Sequence, residues 1–91
     1  MNKYNYSSEM VEKYGDRQLL KASEELSELN VEIMKRLNGE INKENIISEL
    51  ADVYITLDCV RIICDINADE FWKMVDFKIE RQIERENGKE K

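Results

Sequence analysis

Two acidic pairs recur at the same spacing: Glu25 with Glu28, and Glu49 with Asp52, each three residues apart. On a helix that spacing sets both carboxylates of a pair on one face, where they repel each other. The repulsion is offset if a cation lies between them. Four carboxylates converging between two helices form the oxygen-rich site that a divalent ion with oxygen ligands requires. Histidine is absent, which removes the commonest general base and the commonest transition-metal ligand. Any chemistry must then be carboxylate, lysine or metal chemistry. In a chain with 20 acidic residues such spacings also arise by chance, and the competing reading is a solvated acidic groove.

The elements that must position these residues are marked by the chain itself. Gly15-Asp16 separates an N-terminal segment, residues 1–15 with a helical turn over Ser8–Tyr14, from a periodic stretch that runs to about Leu37, with Asp16 as its cap. "NGEIN", Asn38 to Asn42, ends that helix with a glycine and starts the next with an asparagine. The second long helix continues to about Ile66. Asn67-Ala68-Asp69-Glu70 caps a third, which frays into a polar tail over residues 86–91. With no proline and three glycines, the 91 residues read as one all-α domain, an antiparallel helical hairpin plus a third helix.

Helical periodicity places Asn45, Glu49, Asp52 and Thr56 on a face that continues through Cys59, Val60 and Ile63, so two carboxylates point toward the core. Asp58, Arg61 and Asp65 form an opposite, solvated stripe. On the first long helix, Leu19, Ala22, Leu26, Leu29, Ile33 and Leu37 form the main apolar stripe. Leu20, Val31 and Met34 form a second one, and Lys21, Glu25, Glu28 and Glu32 lie between the two. Counting from the turn, Glu28 lies level with Asp52, bracketed by Glu25 and Glu49. An unpaired buried carboxylate either takes up a proton or finds a cation.

The charge of -6 argues against nucleic-acid backbone binding and leaves polyanionic ligands possible through a bridging cation. No apolar run is long enough to span a membrane, and "MNKYNYSSEM" lacks the apolar core of a secretion signal. Cys59 and Cys64, five apart in an apolar run, fit neither a redox pair nor a zinc site and read as buried free thiols in a cytoplasmic protein.

"KASEELSEL" followed after a turn by "ISELADVYITL" resembles the MazG-like branch of the all-alpha nucleoside triphosphate pyrophosphohydrolases, over roughly Gln18 to Arg85. The resemblance implies that Glu25, Glu28, Glu49 and Asp52 hold magnesium, with manganese able to substitute. It also implies that Lys21 and, from "FKIERQIER", Lys78 and Arg81 contact substrate phosphates. The implied reaction splits a nucleoside triphosphate into nucleoside monophosphate and pyrophosphate, in nucleotide-pool control or house-cleaning, with Glu25 or Glu28 receiving the water proton. The tyrosine-histidine pair of the related phosphoribosyl-ATP pyrophosphohydrolases is missing. The alternatives are a helical interaction module and an inactive relative that binds nucleotide without cleaving it.

The remaining features have plainer readings. Lys78, Arg81 and Arg85 share a stripe that suits acidic neighbours as well as phosphates. Phe71, Trp72 and Phe77 are core or oligomer contacts before they are base-stacking groups. "DINADE" starts like a calcium loop but carries Glu70 at the required glycine position and Asp76 at the final glutamate position. Apolar residues on several faces, including Ile55, Ile62 and Ile66, predict a homodimer or homotetramer, with a four-helix bundle built from two hairpins.

Overall fold

The structure, a computed structural model, describes residues 2–89. It contains a 3-10 turn (Lys3–Asn5) and four α-helices: α1 (Tyr6–Tyr14), α2 (Arg17–Leu37), α3 (Lys43–Ile63) and α4 (Ala68–Lys89). No strand occurs among the described residues, and no helix among them is long and apolar enough to cross a membrane.

The α2–α3 hairpin is the body of the fold, and the caps expected from sequence form its turn. Gly39 takes a left-handed backbone (φ 88°), and the Gly39 and Glu40 amides donate back to the Arg36 and Lys35 carbonyls, closing α2 with a Schellman turn. The Asn42 side chain then accepts the Asn45 amide and opens α3. At the far end the Asn67 side chain accepts the Glu70 amide, and the Glu70 carboxylate accepts the Asn67 amide in return, forming a capping box on α4. Asp16 stands before α2 but makes no side-chain cap. Its helical backbone leaves the first turn to the Gln18 amide, which donates to the Gly15 carbonyl.

Between the two long helices runs a seam of Gln18, Ala22, Glu25 and Glu32 from α2 against Val53, Thr56 and Cys59 from α3. Steps of three, four and seven residues keep these positions on one face of each helix. This corrects the expected α2 stripe. The seam lies one residue to the N-terminal side of it, and of the expected residues only Ala22 is buried, with Leu29 half-buried and Leu19, Leu26, Ile33 and Leu37 exposed. On α3 Cys59 is buried as the periodicity requires, Val60 and Ile63 are only half-buried, and Cys64 is exposed. It falls after the last turn of α3, which ends at Ile63 where Asp65 takes a left-handed backbone (φ 56°). The Asp58–Arg61 ion pair (3.0 Å) lies on the stripe expected to be solvated, where both residues are half-buried, and Arg61 also donates to the Ile66 carbonyl at 2.7 Å.

The helix that covers the hairpin is α1, not α4. The α1 helix is a full nine residues, longer than the turn expected there, and lies against α3 and, to a smaller extent, α2. Among the described residues no helix packs on α4 and none of its side chains is buried. The tail expected to fray is helical through Gly88 to Lys89, where Glu86 accepts from Gln82 and Lys89. Glu90 and Lys91 lie outside the described residues.

Candidate metal centre

Glu25 enters the seam because it lies one turn beyond Ala22 on the buried face of α2. It is 5% exposed, unusually deep for a carboxylate. Its Oε1 accepts a 2.9 Å ion pair from Lys21, whose ammonium is half in solvent. Its Oε2 is shut off from solvent and has no hydrogen-bond partner. Glu49 and Asp52 arrive from α3, three apart and both half-buried, and Glu49 Oε2 is likewise buried without a partner. One carboxylate oxygen from each of Glu25, Glu49 and Asp52 lies within 4.8 Å of the other two.

The electrostatics follow from that crowding. Burial raises the Glu49 carboxyl above the usual carboxylate range. The charges of Glu28, Asp52 and Glu25 raise it further, as does a hydrogen bond shared with Glu28. The Lys21 ammonium is raised by its bond to Glu25 and by that residue's charge, against a smaller lowering by burial.

Of the seven residues expected at the site, the structure brings together five. Glu25, Glu49 and Asp52 form the cluster, Lys21 binds Glu25, and Glu28 stands against Glu49 but is exposed and outside the three-residue group. The facing pairs are therefore Glu25 with Asp52 and Glu28 with Glu49, about one helical turn from the expected pairing of Glu28 with Asp52. Counting outward from the turn treats its two sides as equal, whereas here a Schellman closure at Gly39 is followed by Ile41 and Asn42 outside either helix. Lys78 and Arg81 are not at the cluster. They lie on α4, which no other helix touches, and Arg81 rests over the Phe77 ring at 5.9 Å.

Glu32, placed by periodicity on the edge between the two apolar stripes, is buried in the seam and pairs with Lys35 at 3.4 Å. Gln18 was not singled out by sequence. Gln18, 9% exposed, begins the seam and lines a 510 Å³ cleft that opens between α1 and the hairpin beside Glu25 and Asp52. The signal was available: Gln18, Ala22, Glu25 and Glu32 share one helical register.

The donors fit a hard divalent cation. All are carboxylate oxygens, and two are buried without a partner, an arrangement that costs free energy unless a proton or a cation completes it. No family model matches the chain, and no curated protein or solved structure proves similar to it.

Proposed function

We propose that the chain is a magnesium-dependent hydrolase that cleaves nucleoside triphosphates to nucleoside monophosphate and pyrophosphate. The observation that carries this reading is the buried Oε2 of Glu25, unpartnered and one of three converging carboxylates. The likeness of "KASEELSEL" and "ISELADVYITL" to the MazG-like pyrophosphohydrolases adds the substrate class.

Glu25, Glu49 and Asp52 would hold the ion, with manganese able to take the place of magnesium. Once bound, it supplies neutralising charge to the polyphosphate and acidifies water for attack at phosphorus. Lys21 holds Glu25 with one of its three N–H donors and keeps the others for a phosphate oxygen. Glu28 is exposed and outside the three-carboxylate group while standing against Glu49, so it is the carboxylate left to accept the proton of the attacking water. Water oxygen bonds to the α-phosphorus, the bridging bond to the β-phosphate breaks, and pyrophosphate leaves with the electron pair.

A homodimer or homotetramer belongs to the same reading. Ala22, Val53 and Cys59 are the only buried apolar residues among those described, while Leu26, Ile33, Leu37, Leu50 and Leu57 are exposed. So thin a core is a poor offset for the entropy of ordering the chain. A second hairpin on that face gives a four-helix bundle, and the free α4 of a neighbouring copy is then the route by which Lys78 and Arg81 reach a phosphate.

The test is pyrophosphate release from a panel of normal and damaged nucleoside triphosphates, with magnesium and with EDTA. Magnesium-dependent release supports the proposal. Magnesium-dependent nucleotide binding without product leaves an inactive relative, and neither leaves an interaction module, a reading that the uncovered apolar side chains of α4 favour.

A further inference from the structure

The cleft beside the cluster has walls of a different character from the carboxylates. Tyr6, Met10 and Tyr14 come from α1, Ile55 from α3, and Gln18 from the start of α2, and the cleft reaches Glu25 and Asp52 at its acidic side. Its volume of 510 Å³ is within the usual range for small-molecule sites. The phenol rings, thioether and branched aliphatic chain of that wall suit a planar ring, while Arg17, Lys21 and Glu24 add charge to the lining.

Gln18 supplies the one side-chain amide among the residues that line the cleft, which also include Arg17, Lys21, Glu24 and Thr56. It is more than nine-tenths buried, and its side-chain amide makes no hydrogen bond among the described residues, although Thr56, across the cleft, donates its hydroxyl to the Val53 carbonyl. An amide offers two donor N–H groups beside an acceptor oxygen. That pattern complements the adjacent donor and acceptor on the edge of a nucleobase, as in the bidentate pairing of glutamine with adenine. Unlike Glu25 Oε2 and Glu49 Oε2, the amide atoms are not sealed from solvent, so a base edge that enters the cleft meets two free donors and a free acceptor.

We propose that the cleft between α1 and the hairpin is a nucleobase site in which the Gln18 amide reads the base edge. The inference rests on the nucleotide reading above and deepens it. The ligand runs from a planar heteroaromatic ring among Tyr6, Met10 and Tyr14 to phosphates at Glu25 and Asp52. Gln18 is then a determinant of which base is accepted.

The chain has two glutamines, Gln18 and Gln82, and Gln82 donates to Glu86 on the distant α4, so it serves as an internal control. Protein labelled with 15N at glutamine is titrated, in EDTA, with adenosine, guanosine, cytidine and uridine. The Gln18 side-chain NH2 signals should shift with at least one nucleoside while those of Gln82 stay in place. Absence of a shift with all four overturns the proposal. This arm uses the parent chain, so it holds whether or not a variant folds. In a second arm, Gln18→Leu and Gln18→Glu should change the ratio of kcat/KM between the best and worst triphosphates by about tenfold or more, the scale of one base-edge contact. Unchanged preference with pyrophosphate release intact overturns the cleft and leaves the hydrolase reading. Nucleoside binding with no pyrophosphate release from any triphosphate overturns the hydrolase reading and leaves the cleft.

Discussion

Lys21 and Glu25 form an ion pair one helical turn apart, at 2.9 Å, with the two ends in different surroundings. The ammonium is half in water, and the carboxylate is almost wholly out of it. The pair steadies a carboxylate that already faces Glu49 and Asp52, and it holds Lys21 beside the place where phosphate oxygens would bind. Lys21→Met should therefore separate two effects. Magnesium affinity in titration calorimetry stays the same or rises, because a competing cation has gone, while KM for the nucleoside triphosphate rises about tenfold, the loss of roughly one charge-assisted hydrogen bond. A fall in magnesium affinity would instead make Lys21 an organiser of the metal site.

Glu49→Gln and Asp52→Asn keep side-chain shape and remove charge. Each should lower magnesium-dependent turnover by at least ~100-fold, the upper range seen for groups that only support a metal ligand. The circular dichroism spectrum should be unchanged, because α3 gains nothing from either charge. Full turnover in both variants would remove the three-carboxylate site from the mechanism.

Magnesium should also stabilise the fold. A ligand at one hundred times its dissociation constant adds about 2.7 kcal/mol to a folded state that alone binds it. The rise in Tm should be absent in Glu25→Gln, which removes the unpartnered carboxylate oxygen. Sodium at equal ionic strength should have no such effect, and equal gains in parent and variant would reduce the effect to general screening.

The raised Glu49 carboxyl fixes the direction of a pH effect. Burial, with Glu28, Asp52 and Glu25 facing it, makes the folded chain hold this proton more tightly than the unfolded chain. Stability of the metal-free protein therefore falls as pH rises from the ordinary carboxylate range through the folded value, and the penalty is complete above it. In EDTA, Glu49→Gln should melt higher than the parent at neutral pH, and the gap should close as the solution becomes mildly acidic. Magnesium affinity should weaken over the same window, since the proton and the ion compete for one group. A gap independent of pH would show that packing, not charge, separates the two proteins.

Assembly is tested by light scattering. The parent should exceed the 10.8 kDa of one chain, and Leu26→Glu and Ile79→Glu, both at exposed apolar positions, should return it to a monomer with helicity largely kept in α2 and α3. A folded parent monomer at micromolar concentration would sink the oligomer. Loss of activity along with assembly would fit Lys78 or Arg81 acting on a neighbouring copy.

The sequence carried some of this structure and not the rest, for physical reasons. Caps at Asn42 and Asn67–Glu70 and the glycine turn at Gly39 are local, decided by side chains bonding to backbone within a few residues, and they were legible. The inward turn of Glu49 and Asp52 was legible because they share a period with Thr56 and Cys59. Which α2 face meets α3 was not. Two apolar stripes competed, and the seam chose a third face bearing Gln18, Glu25 and Glu32, residues that hydropathy places outside. The partnership of α1 with the hairpin was also hidden, since a nine-residue helix with few apolar residues gives little periodic signal.

That partnership has a contact that can be read in time. The Cys59 thiol is buried against α1, with its Sγ 4.0 Å from the Ser7 carbonyl, and burial raises its pKa, while Cys64 five residues on is exposed. The two cysteines thus act as a paired stopwatch: alkylation of Cys64 starts at once and sets the reagent's pace, and alkylation of Cys59 waits for α1 to swing off the hairpin. Their ratio reports the opening rate of one wall of the cleft, and any molecule that fills the cleft should slow the second event without touching the first.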